Sequence, residues 1–343
     1  VDLRPWHEAG ASEGQELGAA LAQGVLYLRA LEAHGVTLDE AFRVLSFIVP
    51  VDTDQFLGIA KLRALRRLWA KVAAACGIGS APALIHAETS WRMLTRRDSH
   101  VNILRNTIAA FAAGVGGADT VTVLPFTHAL GLPDAAARRL ARNTSIVLME
   151  EASLWRVADP AAGAGGYEAL TEELAARAWA LFQEIEGEGG LLASLSQGSL
   201  QARIAATAAA RAKAVATRRE PITGTSEFAD LAEIAPVVLD APEQTHPAAQ
   251  DSAILPLVSR RIAEPFEALR ARADAIRAAT GQRPRVALVT LGALADHAAR
   301  LAFTRNLFEA GGIEIAEESM LACLVGSDAA YAAEGAARAA SLT

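Results

Sequence analysis

The sequence predicts an α/β fold in which short parallel strands alternate with amphipathic helices. In the first half of the chain, a short apolar run followed by a longer helical pattern occurs four times, at a spacing of roughly 38 residues. After Arg283 a shorter series of strand, helix, strand, strand and helix follows, which is typical of the start of a doubly wound sheet. We therefore expect four βα units with a parallel sheet and a smaller second α/β domain.

Titratable or polar residues lie at or just after the end of each predicted strand in the first half. The strands are Leu3–Trp6, Val44–Val49, Ala83–Ala87 and Val121–Leu124. The polar residues are His7 and Glu8, Asp52 and Asp54, His86 and Glu88, and Thr127 and His128. Catalytic and binding groups of parallel α/β folds lie at the carboxyl ends of the strands. These side chains are therefore the first candidates for a functional site.

The helices between these strands have clear sequence signals. Ser12 and Thr37 each precede a Gln or Glu by three residues, which is the spacing of a capping box at a helix start. A helix from Phe56 to Val72 keeps apolar residues on one face and places Lys61 with several arginines on the other. Further helices are predicted over 102–115, 133–151, 167–186 and 191–217.

The second half of the chain divides into a linker and a small domain. From Glu220 to Ala253 the sequence is rich in Pro, Thr, Ala and acidic residues without a sustained period, which predicts an extended linker. A helix from Pro265 to Thr280 closes it. The strands that follow are Val286–Leu291, Gly312–Ile315 and Leu321–Val325, and the helices are His297–Glu309 and Asp328–Ala340. We expect domains over 1–219 and 283–343, with the linker and its closing helix over 220–282.

Both predicted domains are incomplete as independent folds. Four βα units make half a barrel, whose edge strands and inner face would be open to water. In the small domain only Ala316–Met320 separate two strands, although a parallel crossover normally needs a dozen or more residues. We therefore expect that an amino-terminal half-barrel and a segment near 316–320 are missing from this chain.

Composition excludes several classes of function. A formal charge of −7 gives no basic surface for nucleic acid. Cys76 and Cys323 lie in apolar segments, which fits buried thiols in a reducing cytoplasm and excludes a disulfide framework. Charged residues interrupt every helical pattern before it reaches the roughly 18 residues that a membrane span needs. We expect a cytoplasmic protein without nucleic-acid or membrane partners.

Short motifs spread over nearly the whole chain resemble those of the methylmalonyl-CoA mutase family. They are Leu45-Ser46-Phe47, Ile59-Ala60-Lys61, Arg66-Arg67-Leu68-Trp69, His86 with Thr89-Ser90, Ala129-Leu130-Gly131-Leu132-Pro133, Ala141-Arg142-Asn143-Thr144, Val157-Ala158-Asp159-Pro160 and Arg283-Pro284-Arg285. Two further motifs, over 222–228 and 308–312, are similar to the small subunit of the heterodimeric members. The resemblance implies the carboxyl half of a TIM-type barrel, followed by a degenerate, truncated domain of the flavodoxin-like (Rossmann-type) class that is similar to a cobalamin-binding domain.

Members of this family interconvert methylmalonyl-CoA and succinyl-CoA by a radical mechanism that depends on adenosylcobalamin. The coenzyme A thioester lies along the barrel axis, and the cofactor lies against the end of the barrel. The resemblance implies that this chain is the small, non-catalytic subunit of an isomerase in propionate metabolism. Its heterodimer partner would be a large subunit that holds the cobalamin and that this chain stabilises. Two alternatives remain open: a divergent acyl-CoA mutase subunit that binds CoA or cobalamin itself, and a purely structural paralogue.

Most of the family's substrate and cofactor contacts are replaced in this chain. At the first strand the family places a substrate-contacting His three residues before a Glu that touches the cofactor. This chain keeps Glu8, but it has Pro5 at the His position, and proline has no N–H to donate to a thioester. The CoA-contacting Arg of the second strand is Val44 here, whereas Ser46 remains a candidate for substrate binding. The family's cofactor-side Gln and Glu correspond to Glu88 and His128.

The family's cobalt-binding loop, Asp-x-His-x-x-Gly, is also altered. His297 falls at the ligand position, but the Asp that tunes the imidazole is replaced by Ala295 and the Gly by Arg300. The resemblance therefore implies that this chain holds no cobalamin. We interpret His297 as a residue at a helix start, capped by Asp296.

A zinc site is a separate hypothesis that comes from the residues alone. His7, His86 and His128 could bind zinc through three imidazoles, with Glu8 or Glu88 as the base of a hydrolase. This requires all three side chains to converge on one point.

Two helix faces are candidates for contact with a partner subunit. One bears Arg63, Arg67 and Trp69, and the other bears Arg138 and Arg142. Arg and Trp are the residue types that most often anchor protein interfaces.

Overall fold

The computed structural model describes residues 1–79, 81–240 and 254–342. These residues form an α/β structure with two separate three-stranded sheets, as the alternation of strands and helices predicts. The chain divides into two compact units. Unit 1 comprises Val1–Leu94, Asn102–Ala214 and Val237–Ile262, and unit 2 comprises Thr95–Val101, Val215–Pro236 and Ala263–Thr343. Most of the described part of the predicted linker therefore belongs to unit 2.

The sheet of unit 1 is parallel and has the order β1-β2-β3. Its strands are β1 (Ser46–Val51), β2 (Leu84–Thr89) and β3 (Thr120–Thr122). They lie within about two residues of three of the four predicted strands. In the register, Ile48 pairs with His86, and His86 pairs with Thr120.

The prediction of a fourth strand at Leu3–Trp6, and with it a sheet of four βα units, is wrong. These residues begin a short helix, α1 (Arg4–Glu8), and only Asp2 makes an isolated parallel bridge to Ile48. Pro5 lies in the first turn of this helix, where its missing N–H costs nothing, whereas a strand would lose a ladder hydrogen bond there. The Asp2 carboxylate also accepts the Arg4 N–H at 2.9 Å, which favours the helix start.

Two further helices of unit 1 precede β1, one helix follows each strand, and an all-helical stretch comes after them. They are α2 (Glu13–Ala33), α3 (Leu38–Val44), α4 (Gln55–Ala75), α5 (Val101–Val115), α6 (Ala135–Glu150), α7 (Gly165–Gly187), α8 (Leu191–Gln197) and α9 (Ser199–Ala216). Both predicted capping boxes are confirmed, at Ser12 and Thr37. The single helix predicted over 191–217 is wrong, because Gly198 adopts φ +75° and divides it into α8 and α9.

One face of the sheet of unit 1 is packed and the other is not. The packed face carries buried side chains from β1 and β2, namely Phe47, Val49, Val51, Ile85 and Ala87. Trp69 of α4 is completely buried there, with its ring centroid 5.0 Å from that of Phe42 and 4.9 Å from that of Phe47. On the opposite face, Leu84 remains 53% exposed. The core therefore lies between the sheet and its helices, and the second face remains accessible.

Unit 2 contains a smaller parallel sheet of order β5-β4-β6. Its elements are α10 (Glu264–Thr280), β4 (Arg285–Thr290), α11 (Leu294–Ala310), β5 (Glu314–Ala316), β6 (Ala322–Val325), α12 (Asp328–Ala330), a π-helical turn (Tyr331–Gly335) and α13 (Ala336–Ala340). Residues 317–321 join β5 to β6 without a helix. The short connection that the sequence indicates is therefore present in the structure.

In the part of the chain that the structure describes, none of the helices is long and apolar enough to cross a membrane.

Candidate functional site

The candidate site lies on the accessible face of the sheet of unit 1, which we call the open face. Residues paired across parallel strands point to the same side of a sheet, so the register defines this face. It carries Ser46, Ile48, Leu84, His86, Glu88, Thr120 and Thr122. All seven residues are at least partly accessible and five are polar, which is unusual for a parallel sheet, since both of its faces are normally covered.

His86 lies in the middle of the open face and is held by β3. Its Nδ1 lies 2.5 Å from the Thr120 hydroxyl, and its Nε2 lies 3.0 Å from the Thr122 hydroxyl. Both ring nitrogens are thus engaged by protein side chains, and the ring orientation is fixed.

At the carboxyl edge of the sheet, the structure brings together three of the sequence-predicted residues, Glu8, Glu88 and His128. The guanidinium of Arg4 also lies at this edge, where it contacts Glu88 at 3.3 Å and pairs with Asp2 at 2.8 Å. Burial raises the pKa of Glu8, the neighbouring carboxylates of Asp2 and Glu88 act in the same direction, and Arg4 opposes them. Desolvation lowers the pKa of His128, and the Glu88 carboxylate acts against this shift.

Ser46, the substrate-binding candidate, lies at the other end of the open face. It begins β1 and pairs with Leu84, whereas Glu88 pairs with Pro50 near the carboxyl end. Its backbone carbonyl accepts a hydrogen bond of 2.6 Å from the amino group of Val1. The structure therefore does not bring Ser46 together with Glu8, Glu88 and His128.

A buried network centred on His7 lies behind the carboxyl edge. The His7 Nδ1 is 2.6 Å from Glu16, and its Nε2 is 2.6 Å from the Ser90 hydroxyl. Glu16 also pairs with Lys61 at 2.8 Å. Each of these four residues is 0–1% exposed. The order Ser, His, Glu is that of an acyl-transfer triad, but a serine without solvent access cannot attack a substrate.

A second ion pair completes this network. Arg92 contacts Asp52 at 3.1 Å and donates hydrogen bonds to the carbonyls of His7 at 2.9 Å and Ala11 at 3.1 Å. Burial would raise the pKa of Asp52, but the charge of Arg92 holds it well below its usual range. Burial lowers the pKa of His7 well below 6.5, and Arg92 and Lys61 contribute in the same direction.

Sequence reasoning missed four members of the network, Glu16, Lys61, Ser90 and Arg92. Lys61 was predicted on the polar face of α4, and this is wrong, because it is 1% exposed. The available signal was its position between Ala60 and Leu62 within the apolar stripe of the helix, where a charged residue needs a buried partner.

The three-histidine zinc hypothesis does not agree with the structure. Both ring nitrogens of His7 and of His86 have side-chain partners within the protein, so neither imidazole is free to bind a metal. Among the described residues, no group of three or more His, Cys, Asp or Glu side chains is arranged to hold a metal ion.

His297 of unit 2 lies in the first turn of α11 and is 7% exposed. Its Nδ1 has no hydrogen-bond partner among the described residues. The neighbouring Asp296 accepts the Ala293 N–H at 3.2 Å, and Arg300 donates to the carbonyl of Gly326 at 2.7 Å. The helix therefore begins before His297.

The two candidate contact faces differ sharply. Trp69 is fully buried, and Arg63 pairs with Glu168 of α7 at 2.8 Å, so the proposal that this face contacts a partner is wrong. On α6, by contrast, only Ala137 and Ala141 are buried. The exposed arginines Arg138, Arg139 and Arg142 make no ion pair with any described residue.

A groove runs beside these arginines, between α6 and the residues around β3. Its volume is about 370 Å³. Its lining is apolar apart from Arg138, Arg142 and Ser145. The walls are formed by Val121, Val123, Pro125, Ala141, Ile146 and Met149.

Comparison with known proteins gives a consistent result. The family model of methylmalonyl-CoA mutase matches residues 2–301. The "Methylmalonyl-CoA mutase small subunit" of Streptomyces virginiae is 51% identical over 360 aligned residues, which cover 99% of this chain and 57% of that protein. The protein of the same name from Propionibacterium freudenreichii subsp. shermanii is 42% identical, with 92% of this chain and 48% of that protein covered.

More distant similarity extends to proteins that are not named as small subunits. The "Methylmalonyl-CoA mutase" of Escherichia coli (strain K12) is 34% identical over 66% of this chain and 33% of its own length. The chain spans about half the length of the small-subunit relatives that it matches.

Proposed function

Because the chain belongs to the methylmalonyl-CoA mutase family, we propose that it acts within the small subunit of a heterodimeric mutase. The complex interconverts methylmalonyl-CoA and succinyl-CoA with adenosylcobalamin. In this proposal the chain performs no chemistry itself but stabilises a large subunit. The observation that carries the proposal is the 51% identity to a small subunit over 99% of the chain.

The proposed fold is the carboxyl half of a TIM-type barrel, followed by a truncated flavodoxin-like domain. Two features of unit 1 support the half-barrel: its parallel sheet has helices on one face, and Asp2 bridges to the outer side of β1 where another strand would lie. The polar open face would then be the inner wall of the barrel. In unit 2, the central β4 between two parallel neighbours supports a flavodoxin-like origin.

The non-catalytic role is supported by the surroundings of Pro5. The family's pattern has an imidazole here, and Pro5 lies inside α1 with no side-chain donor. The nearby cation, Arg4, is already paired with Asp2 and Glu88. No group at this position is therefore free to stabilise a thioester carbonyl.

Unit 2 does not fit the cofactor that the family uses. An imidazole that ligates cobalt outside its own domain must project from a loop, but His297 is within a helical turn and 7% exposed. The carboxylate of Asp296 accepts the Ala293 N–H and lies one residue before His297, whereas the family's Asp lies two residues before its His, so Asp296 does not reproduce the family's Asp partner. We therefore assign the cobalamin of the complex to the large subunit.

The partner surface in this proposal is the α6 groove, with Arg138 and Arg142 in its lining and Arg139 beside it on the same helix. Its apolar walls suit a hydrophobic anchor, and its unpaired guanidinium groups suit carboxylates at the rim of the interface. We propose that the large subunit supplies an apolar segment flanked by Asp or Glu.

Mixing experiments test this assignment. The chain, the Arg138→Glu/Arg142→Glu variant and an Arg177→Glu control are each added to the cognate large subunit. Arg177 is a suitable control because it is an exposed arginine on α7 that pairs only within its own helix. We expect complex formation, seen by analytical ultracentrifugation, and a higher melting temperature of the large subunit with the wild type and the control only. Equal stability and activity of the large subunit with and without the chain would refute the proposal.

The alternative in which this chain binds an acyl-CoA itself is favoured by one observation. Ser46 lies on the open face and remains partly accessible there. Calorimetric titration of the isolated chain with coenzyme A distinguishes the two proposals. Saturable binding that a Ser46→Trp variant loses would support the alternative, whereas our proposal predicts no binding.

A further inference from the structure

The sheet of unit 2 changes direction between β4 and β6. From β4 the chain goes to β5 on one side, and it returns to β6 on the other side of β4. In open α/β sheets, ligands bind outside the carboxyl ends of the strands at such a change of direction. Two loops border this position: residues 291–293, which lead from β4 into α11, and residues 326–327, which lead from β6 into α12. We call the position between these loops the unit 2 crevice.

The two loops that border the unit 2 crevice are in direct contact. The Leu291 N–H donates to the Val325 carbonyl at 2.9 Å, so pairing continues past the end of β4. A Cβ at Gly326 would lie 2.8 Å from the Leu291 Cβ and 3.3 Å from the Ala330 Cβ, which is closer than real side-chain carbons approach. Leu291 is only 2% exposed. The chain's own atoms therefore fill the place where a ligand of this architecture would enter.

Two charged side chains bond backbone groups of these loops. The Glu334 carboxylate accepts the Gly292 N–H at 2.8 Å, and the Arg300 guanidinium donates to the Gly326 carbonyl at 2.7 Å. Backbone N–H groups of glycine loops at this edge are the donors that anionic ligands use in α/β folds, and a loop carbonyl can accept from a ligand's N–H or O–H. Glu334 and Arg300 therefore make the hydrogen bonds that a ligand with both acceptor and donor groups would make. We call these two hydrogen bonds the closing contacts.

We propose that the unit 2 crevice is closed by the chain itself, with Glu334 and Arg300 as internal substitutes for a ligand. The π-helical turn that carries Glu334 is held on β6, because the Tyr331 hydroxyl donates to the Leu324 carbonyl at 2.6 Å. This closure is separate from the altered cobalt-binding loop, since it also blocks a ligand that needs no imidazole. It concerns unit 2 alone, and it does not depend on the proposed role in a heterodimer.

The contacts at the crevice differ in strength. Arg300 also pairs with Asp328 at 2.8 Å, but these side chains are 47% and 92% exposed, so this ion pair contributes little. The closing contacts join a charged group to the backbone, and the loss of one such hydrogen bond should raise local opening by roughly tenfold. The hydrogen bonds of Leu291 and Tyr331 remain when the closing contacts are removed. We therefore expect opening to be confined to the two loops.

Thiol labelling at position 291 measures access to the crevice. The parent protein carries Leu291→Cys in a Cys76→Ser/Cys323→Ser background, which removes the two native thiols of the chain. Because position 291 is 2% exposed, labelling of the new thiol requires the loops to separate. All further variants are made in this parent, so the effect of the smaller side chain is common to them.

The variant Arg300→Met/Glu334→Ala removes both closing contacts. Arg305→Met is the control, because Arg305 lies on the same helix as Arg300 and pairs with Glu309 of that helix at 3.8 Å. We expect slow labelling in the parent and the control, and labelling faster by roughly tenfold or more in the double variant. Hydrogen exchange of the β4 amides should stay the same in all three proteins.

Equal labelling rates in the parent and the double variant would overturn the closure. A rise in β4 exchange as large as the rise in labelling would also overturn it, because the two side chains would then stabilise the whole unit rather than close the crevice.

If the Leu291→Cys parent does not fold, amide exchange of Gly292 in the otherwise unchanged chain decides instead. The closure predicts that this N–H is protected in the wild type and exchanges roughly tenfold faster in Glu334→Ala. Hydroxocobalamin added to the wild type should leave the exchange rate unchanged. An unprotected Gly292 N–H, or a saturable slowing of its exchange by hydroxocobalamin, would contradict the proposal. Neither result depends on whether the chain binds a large subunit in the mixing experiments.

Discussion

Lys61 offers the sharpest test of the buried network, because its removal leaves a carboxylate without a counter-charge. In Lys61→Met the shape of the side chain is nearly kept, but Glu16 is 0% exposed and loses the ammonium group at 2.8 Å. Breaking one partner of a buried ion pair typically costs about 3–5 kcal/mol. We expect a loss of this size in the free energy of unfolding at pH 7.5.

The matched control lies on the same helix. Arg67 pairs with Glu172 at 2.6 Å, but the two side chains are 59% and 61% exposed. Arg67→Met should therefore cost less than about 1 kcal/mol.

Urea unfolding followed by circular dichroism measures these variants and the double variant Glu16→Gln/Lys61→Met. The double variant removes both charges while Gln still accepts from His7, so it should regain most of the loss. A Lys61→Met variant as stable as Arg67→Met would refute the buried-charge argument. A double variant less stable than Lys61→Met would refute the claim that unbalanced charge is the cause.

Two pairs of substitutions test packing and capping in unit 1, with the free energy of unfolding as the measurement. A Cβ at Gly24 would lie 2.7 Å from the buried Trp69 ring, so Gly24→Ala should destabilise by about 1–3 kcal/mol. Gly14→Ala on the same helix meets only ordinary contacts and should be neutral or stabilising by up to about 1 kcal/mol. The Asp134 carboxylate caps α6 by accepting the Ala137 N–H at 2.7 Å, so Asp134→Ala should cost about 1 kcal/mol and Asp134→Asn less. Equal effects of the two glycine variants, or of the two Asp134 variants, would contradict these reasons.

The sequence predicts the regular elements well where local signals and burial agree. Three strands of unit 1 and the helix starts at Ser12 and Thr37 follow from apolar runs and capping boxes. The prediction of a fourth strand was wrong because apolar Leu3 and Trp6 are also compatible with one turn of helix, and Pro5 favours the helix. Local pattern alone does not decide between these two structures for so short a segment.

The site was predictable only in part, for a physical reason. Strand ends in a parallel sheet meet at one edge, so Glu88 and His128 could be grouped from the pattern alone, whereas Glu8 was grouped with them through a predicted strand that is in fact helix α1. The partners of His7 could not be predicted from the pattern. Glu16 lies on a helix and Ser90 in a loop, and their approach to His7 depends on tertiary packing. Burial of Trp69, by contrast, was indicated by its place in the apolar stripe of α4, which favours contact with the sheet.

The connection over 317–321 is a position at which unit 2 could accept additional residues. It carries the chain from one side of β4 to the other, since β5 and β6 both pair with Ala287. Met320 and Leu321 on it are exposed, at 105% and 69%. An insertion here would leave the order of all three strands unchanged, and loop-closure entropy grows only slowly with added length. The junction is therefore a natural acceptor for an inserted helix, and a grafted αβ connection at this point would extend the crossover while keeping the same topology.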